Sequence, residues 1–441
     1  MRFLFDFLYV LPALLYAPVF FIKSRRVGES PKHLFLERLG IYKSAKLATV
    51  SGKRTLWIHA VSVGEVMVAR RFIDSLRGQK ADFHFVLTTV TPTGQKLAHQ
   101  VTASDLSAFY VPFDFSFCVN AFLRALKPAA LVLVETEIWP NLILSSAKKN
   151  IPIFMINARL SEKSVRNYKR VRFLFAEVFS KIKAVFAQDE ADAGRFKDLG
   201  IAPAHIEVAG NIKFDIDLPG KMSDAFSRER FGLSSSDAVW IAGSTHPGEE
   251  KLILEIYARL LEKNPHLRLI LAPRHVERAN DVFAACKNFE TKFYSDLNSH
   301  SKWDVLVIDQ IGVLKNIYAL GNFVFMGGSW VPHGGQNPIE PAIFNLPVVH
   351  GPHVFNFKQV YEILDVAGAA FQVGSADECF EKISLFLSRP ETAIHAGTIA
   401  GKTVNAYRGA SARQAKSVLG KLQNFKFENV CHPREGGNPG L

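Results

Sequence analysis

Acids at the ends of apolar runs are the first candidates for chemistry in this sequence. The run Leu56-Trp57-Ile58-His59-Ala60-Val61 passes through Ser62, Val63 and Gly64 to Glu65, where a helical pattern begins. A carboxylate in the first helical turn beyond a strand end can act as a general base for a substrate held there. It can equally do no more than favour the helix dipole. A second acid, Glu135, closes the run Leu131-Val132-Leu133-Val134, and Glu137 follows two residues later. Burial of Glu135 is costly unless it is paired, and Arg159, in Asn157-Ala158-Arg159-Leu160-Ser161, is the cation expected to pair with it. That role supports a site rather than performing the catalytic step.

The second half of the chain offers anion-binding groups. Ser244-Thr245-His246-Pro247-Gly248-Glu249-Glu250 joins a strand to a helix, whose first amides could hold an anion or merely be capped. Pro273-Arg274-His275 places a planar cation at a strand terminus, where it can grip phosphate or carboxylate. The stretch from Gly327 to Pro341 holds two Gly-Gly pairs, which suggest backbone lying close to something flat or anionic. Asn337, Pro338 and Glu340 are accounted for by a helix cap alone. Neither the P-loop nor the dinucleotide spacing is present. Asp215-Ile216-Asp217 and the pair His350 and His353 could ligate a metal, but alternating charges in a linker and an intervening Pro352 argue against it. No metal and no cofactor is expected.

The elements that must position these residues follow from hydrophobic patterning. Apolar runs near 55–61, 83–90, 107–113, 130–135, 151–158, 184–188 and 206–210 alternate with amphipathic segments. A second series lies near 239–243, 267–272, 305–309, 323–327 and 347–351, after the polar stretch Lys213–Ser236. Unbroken apolar strands joined by helices imply parallel sheets covered on both faces. The expected architecture is α/β, with two doubly wound domains, 35–215 and 236–403, and binding at the carboxyl ends of the strands between them. A helix over 404–425 and an unfolded tail over 426–441 complete the body.

Residues Phe3 to Ile22 are apolar apart from Asp6 and two tyrosines, long enough to cross a bilayer, and Lys23, Arg25 and Arg26 follow. Segment 1–22 is therefore expected to be an inner-membrane anchor with the body on the cytoplasmic side. A helix lying in the interface is the alternative. The net charge of +12 suits an anionic membrane surface or anionic substrates, and no aromatic-basic stripe points to nucleic acid. Four scattered cysteines argue against a disulfide framework. A composition of 48% hydrophobic and 21% charged residues excludes a disordered chain.

Taken in order, the apolar N-terminal run, Ser62–Glu65, Glu135–Asn141, Asn157–Ser161, Pro273–His275 and Gly328–Glu340 resemble the Kdo (3-deoxy-D-manno-octulosonic acid) transferases of lipopolysaccharide assembly, up to about Leu422. The resemblance implies a GT-B glycosyltransferase fold with two Rossmann-like domains facing a cleft. It further implies a CMP-Kdo donor, a lipid A precursor (lipid IVA) as acceptor, and metal-independent transfer with inversion. Residue by residue, it implies Glu65 as the general base, with Glu135 and Lys213 supporting the transition state. CMP contacts would come from Pro273 and Arg274, from Ile311, Gly312 and Val313, and from Asn337, Pro338, Ile339 and Glu340. Val313 departs from the family pattern, which often has an acid there; a backbone contact would survive the change. A nucleotide-sugar epimerase on the same scaffold is the alternative activity.

Overall fold

The computed structural model describes residues 4–10, 12, 14, 15, 31–216, 226–298 and 301–431. Contacts divide the chain into two units, one formed by 1–215 with 408–441 and the other by 216–407. The first unit carries β1 (Thr55–His59), β2 (His84–Thr89), β3 (Leu106–Tyr110), β4 (Ala130–Val134), β5 (Ile153–Ala158), β6 (Ala184–Ala187) and β7 (Ile206–Val208). They form one parallel sheet in the order β3-β2-β1-β4-β5-β6-β7. Every residue of β1, β2, β4 and β5 is buried, which is why these strands read as unbroken apolar runs. Alternation is still present within them. Leu56 and Ile58 enter the layer of Val66 and Phe72, whereas Trp57 enters the opposite layer with Phe122 and Leu131.

The second unit repeats the design with β8 (Ala238–Thr245), β9 (Leu267–Pro273), β10 (Thr291–Phe293), β11 (Val305–Val307), β12 (Phe323–Met326), β13 (Val348–His350) and β14 (Ala370–Gln372). Their order is β10-β11-β9-β8-β12-β13-β14, again all parallel. The two outermost strands, β10 and β14, are absent from the sequence reading. Each has three residues and is only partly buried, too short and too mixed to show a period.

The C-terminal expectation needs correction. Residues 404–406 end one helix, Pro390–Ala406, and a separate helix runs from Ala410 to Cys431. Gly409 takes a left-handed φ of 86° at the break, and Asp215 accepts hydrogen bonds from the amides of Gly409 and Ser411 to start the second helix. Ala410, Ala415, Val418 and Leu422 pack into the first unit's core. The segment 426–441, expected to be unfolded, is helical as far as Cys431, since the first proline after the break is Pro433. The rest of it lies outside the described residues.

The expected N-terminal anchor, 1–22, lies largely outside the described residues. Among the described residues no helix is long and apolar enough to cross a membrane. Residues 4–10, 12, 14 and 15 are helical. Phe5 is buried in the first core with Tyr9 packed beside it. Asp6 accepts from the Ser116 amide at 2.7 Å and from Asn141 Nδ2 at 3.0 Å. The residue that weakens a bilayer span is thus a protein contact. Phe7, Leu8, Val10, Leu14 and Leu15 remain exposed. Phe5, Asp6 and Tyr9 are thus covered by protein and are not available to lipid.

Candidate active site

In a doubly wound sheet a ligand binds where the loops of neighbouring strands diverge. The first sheet has that point between β1 and β4. The loop after β1 supplies Glu65 and the loop after β4 supplies Glu135 and Glu137. Ser62 caps the helix Val63–Gly78. Its Oγ donates to Glu65 Oε1 at 2.9 Å, and the Val61 amide donates to Glu65 Oε2 at 2.8 Å. This is a capping box closed on itself, so the helix-start role is real. Gly64 is helical rather than strained, and a Cβ there would meet nothing nearer than Ser62 Oγ at 4.0 Å. The turn does not require a glycine.

Glu135 is the buried end of β4 in a left-handed conformation, φ 58°. Arg159 Nε lies 2.8 Å from one of its oxygens and Lys213 Nζ 3.0 Å from the other. The expected Arg159 partner is present, and Lys213 joins it from the short turn Ile212–Phe214 after β7. Asn157, not singled out from sequence, organises this clamp. Its Oδ1 accepts the Ile212 amide at 2.8 Å, its Nδ2 faces Glu135 at 3.4 Å, and its own amide donates to Gln414 at 2.8 Å. An Asn inside the apolar run of β5 was the available signal.

Burial raises the pKa of Glu65, and the negative charge of Glu135 adds to it against the Val61 and Ser62 hydrogen bonds. Glu137 is pushed up to about 7, by burial first and then by Glu65, with a hydrogen bond from Trp139 opposing. Trp139 Nε1 donates to Glu137 Oε2 at 2.7 Å. Two carboxylates with raised pKa, Glu65 and Glu137, thus stand at one strand-end crevice beside the paired Glu135, an arrangement suited to accepting a proton.

In the second sheet the corresponding point lies between β8 and β12. Pro273 and Arg274 end β9, and Arg274 is exposed. Ile311, Gly312 and Val313 follow β11; Ile311 is exposed and Gly312 has φ 87°. Asn337 Oδ1 accepts the Ile339 amide at 3.1 Å and its Nδ2 donates to Glu340 at 3.2 Å, while Pro338 precedes the helix Ile339–Ala342. These positions follow the carboxyl ends of three strands, β9, β11 and β12, which flank β8 in the sheet.

The Gly-rich loop has an internal occupant. Glu249 is fully buried and accepts from the amides of Gly328 at 2.7 Å, Ser329 at 3.0 Å, Trp330 at 3.0 Å and His246 at 2.9 Å. The anion expected against the first Gly-Gly pair is the protein's own carboxylate. Gly327 is also required for packing, since a Cβ would sit 2.4 Å from Ser244 O. Glu249→Gln should lower the unfolding free energy by about 2–3 kcal/mol, because an amide turns N–H against N–H. Urea unfolding reads this directly; an unchanged midpoint would mean the loop does not depend on that charge.

Of the metal candidates, Asp215 and His350 are each engaged within the protein. Asp215 caps the C-terminal helix, and Asp217 lies outside the described residues. His350 places Nε2 3.0 Å from Asp365 and Nδ1 2.7 Å from Gly351 O.

A family model described as 3-deoxy-D-manno-octulosonic-acid transferase (kdotransferase) matches residues 33–216. A 3-deoxy-D-manno-octulosonic acid transferase of Haemophilus influenzae is 32% identical over 398 residues, 89% of this chain and 92% of its own length. Among solved structures, a glycosyltransferase from Rickettsia africae ESF-5 superposes with a TM-score of 0.55 at 13% identity, over 85% of this chain and 99% of that one. The UDP-GlcNAc 2-epimerase of Neisseria meningitidis, bound to UDP-GlcNAc, gives 0.54 at 14% identity, over 84% and 100%. At such identities the two structures speak for the two-domain fold of GT-B proteins and for no particular activity.

Proposed function

This chain belongs to the Kdo transferase family, glycosyltransferases of lipopolysaccharide assembly, and from that premise we propose that it transfers Kdo from CMP-Kdo to a lipid A precursor, lipid IVA, with inversion and without a metal. The observation that carries the reading is Glu65 beside the Arg159–Glu135–Lys213 clamp at the crevice of the first sheet. A sugar hydroxyl is a weak nucleophile at neutral pH. Glu65 takes its proton as the oxygen bonds to the anomeric carbon, and its raised pKa suits that task. The bond from that carbon to the phosphate oxygen breaks with its electron pair, which leaves on CMP. Lys213, aimed by Glu135, stabilises the charge that develops in the transition state. Pro273, Arg274, Ile311–Val313 and Asn337–Glu340 hold CMP. The fold shared with an epimerase adds no support for epimerisation.

The test is CMP release from CMP-Kdo with and without lipid IVA, with mass spectrometry of the lipid product. Release that does not depend on the acceptor would defeat the transferase reading. For the donor site, Arg274→Ala should weaken CMP binding by about 1.5–3 kcal/mol, the scale of a hydrogen bond to a charged group. Calorimetric titration with unchanged affinity on a folded protein would remove Arg274 from the site.

A lipid acceptor places the work at an anionic membrane surface on the cytoplasmic side of the inner membrane. Phe7, Leu14 and Leu15 are exposed on the N-terminal helix, and the chain is strongly basic. Replacing these three by Ser should reduce co-sedimentation with phosphatidylglycerol vesicles, and high salt should release much of what remains. Binding indifferent to both changes would put the membrane contact on another surface.

A further inference from the structure

The helices that follow β3 and β4 begin without caps of their own. Phe115 precedes the helix Ser116–Leu126 and Trp139 the helix Pro140–Lys148, and neither side chain accepts a helix amide. Both starts are capped from a distance. Asp114 Oδ2 accepts the Asn141 amide at 3.1 Å and its Oδ1 the Leu142 amide at 2.7 Å; Pro140 has no N–H, so the first turn is satisfied. Asp6, on the N-terminal helix, accepts the Ser116 amide at 2.7 Å and the Ser116 hydroxyl as well.

Asn141 joins the two caps. It is fully buried, and its Nδ2 donates to Asp6 Oδ1 at 3.0 Å and to the Asp114 carbonyl at 2.6 Å. Tyr9, nearly one turn beyond Asp6, gives its hydroxyl to the Asp114 carboxylate, and its ring meets Phe115 edge-on at 6.4 Å. Asn141 in turn ends a short tether, since only Thr136–Pro140 separate it from Glu135 at the end of β4. Within the tether the Thr136 hydroxyl donates to the Arg159 carbonyl at 2.6 Å, Trp139 Nε1 holds Glu137, and the Trp139 ring meets His59 of β1 edge-on at 5.2 Å. The loop is thus fixed at one end by the sheet and at the other by an aspartate 135 residues earlier in the chain.

We propose that Asp6 is a positioning residue for the loop Glu135–Trp139, so that the docked N-terminal helix is a working part of the site in the first unit. This rests on the reading of that loop as part of the transfer site. Asp6 touches no reacting group. It acts by holding Asn141, and through Asn141 the helix start from which Glu137 and Glu135 are set. Displacing reactive groups by about 1 Å costs up to about a hundredfold in rate, so a cap this far from the chemistry is felt there. The exposed side of the same helix carries Phe7, Leu14 and Leu15. The element proposed to meet the membrane therefore also sets the loop.

The experiment combines steady-state transfer with backbone hydrogen exchange on the full chain. Asp6→Ala should lower kcat by about tenfold to a hundredfold, with KM for CMP-Kdo little changed. It should also speed exchange across 137–142 by about tenfold, the worth of one hydrogen bond, while β1 and β8 keep their wild-type exchange. Asp6→Asn retains an oxygen for the Ser116 amide and for Asn141, and should restore both readouts. A role in stability alone would lower the unfolding midpoint and leave kcat of the folded protein intact. A folded Asp6→Ala protein with wild-type kcat, a loss that Asp6→Asn shares in full, or unchanged exchange across 137–142 would each overturn the proposal. If Asp6→Ala does not fold, Asp6→Glu takes its place, since the added methylene moves the carboxylate off both partners, and the same results decide. Should the wild-type protein show no acceptor-dependent CMP release, the transferase reading falls separately, and exchange still decides whether Asp6 holds the loop.

Discussion

Glu65→Gln is expected to lower the rate of Kdo transfer by about 10²–10⁴-fold, the usual contribution of a general base, with CMP affinity little changed because the nucleotide is assigned to the other domain. Gln preserves size and most of the hydrogen bonding, and Ser62 and the Val61 amide can still hold one oxygen. It cannot take a proton. The competing account is already visible in the closed capping box, and it predicts a different result. A Glu that only starts a helix would cost about 0.3–1 kcal/mol of stability when neutralised and leave the rate nearly intact. The pH dependence adds a second check. Since the Glu65 carboxyl is raised, wild-type activity should be lost as pH falls through a value above the ordinary carboxylate range, and the variant should lack that acid limb. A folded Glu65→Gln protein with near wild-type transfer would return the base to Glu137, whose pKa of about 7 makes it the next acid able to serve.

Lys213→Met should reduce kcat by about 10²–10³-fold, the scale of losing one preorganised group that meets developing charge. The side chain is mostly buried and fills its place by packing, and Arg159 still neutralises Glu135 after the change. The protein should therefore stay folded with KM little altered. Glu135→Gln should fall by a similar factor, because it releases the Lys213 ammonium from its aim. The double variant separates a shared function from two independent ones. If the carboxylate acts through the lysine, the double variant should be no slower than the worse single one. Losses that multiply would show that Glu135 contributes separately, and an unchanged kcat for Lys213→Met would remove the lysine from the transition state.

Much of this architecture was legible in local patterning. Strands buried on both faces must be apolar throughout, so the runs at β1, β2, β4, β5, β8, β9 and β12 announce a parallel sheet, and polar residues at their ends announce a crevice. Glu135 could be read as a paired acid because an unpaired carboxylate at the end of β4 would be too costly. Strands β10 and β14 escaped because three partly buried residues have no period. The helix break at Gly409 escaped because it is set by Asp215, almost two hundred residues away in sequence.

The elements, and the paired acid at the end of β4, were thus determined by sequence alone, since both follow from short-range alternation and from the cost of burying charge, whereas Lys213 and the proposed CMP contacts came from the family resemblance. Tertiary structure decided what each group is used for. Two Gly-Gly pairs suggested an open anion cradle, but a carboxylate some eighty residues earlier fills the first of them. Twenty apolar residues suggested a bilayer span, but Phe5, Asp6 and Tyr9 are spent on the protein. Asn157, given no role of its own in the sequence, proves to join Glu135, the Lys213 turn and the C-terminal helix. Hydrogen-bonding capacity is a property of a residue type, whereas its partner is chosen by strand order and loop closure, which bring together groups that no local window contains.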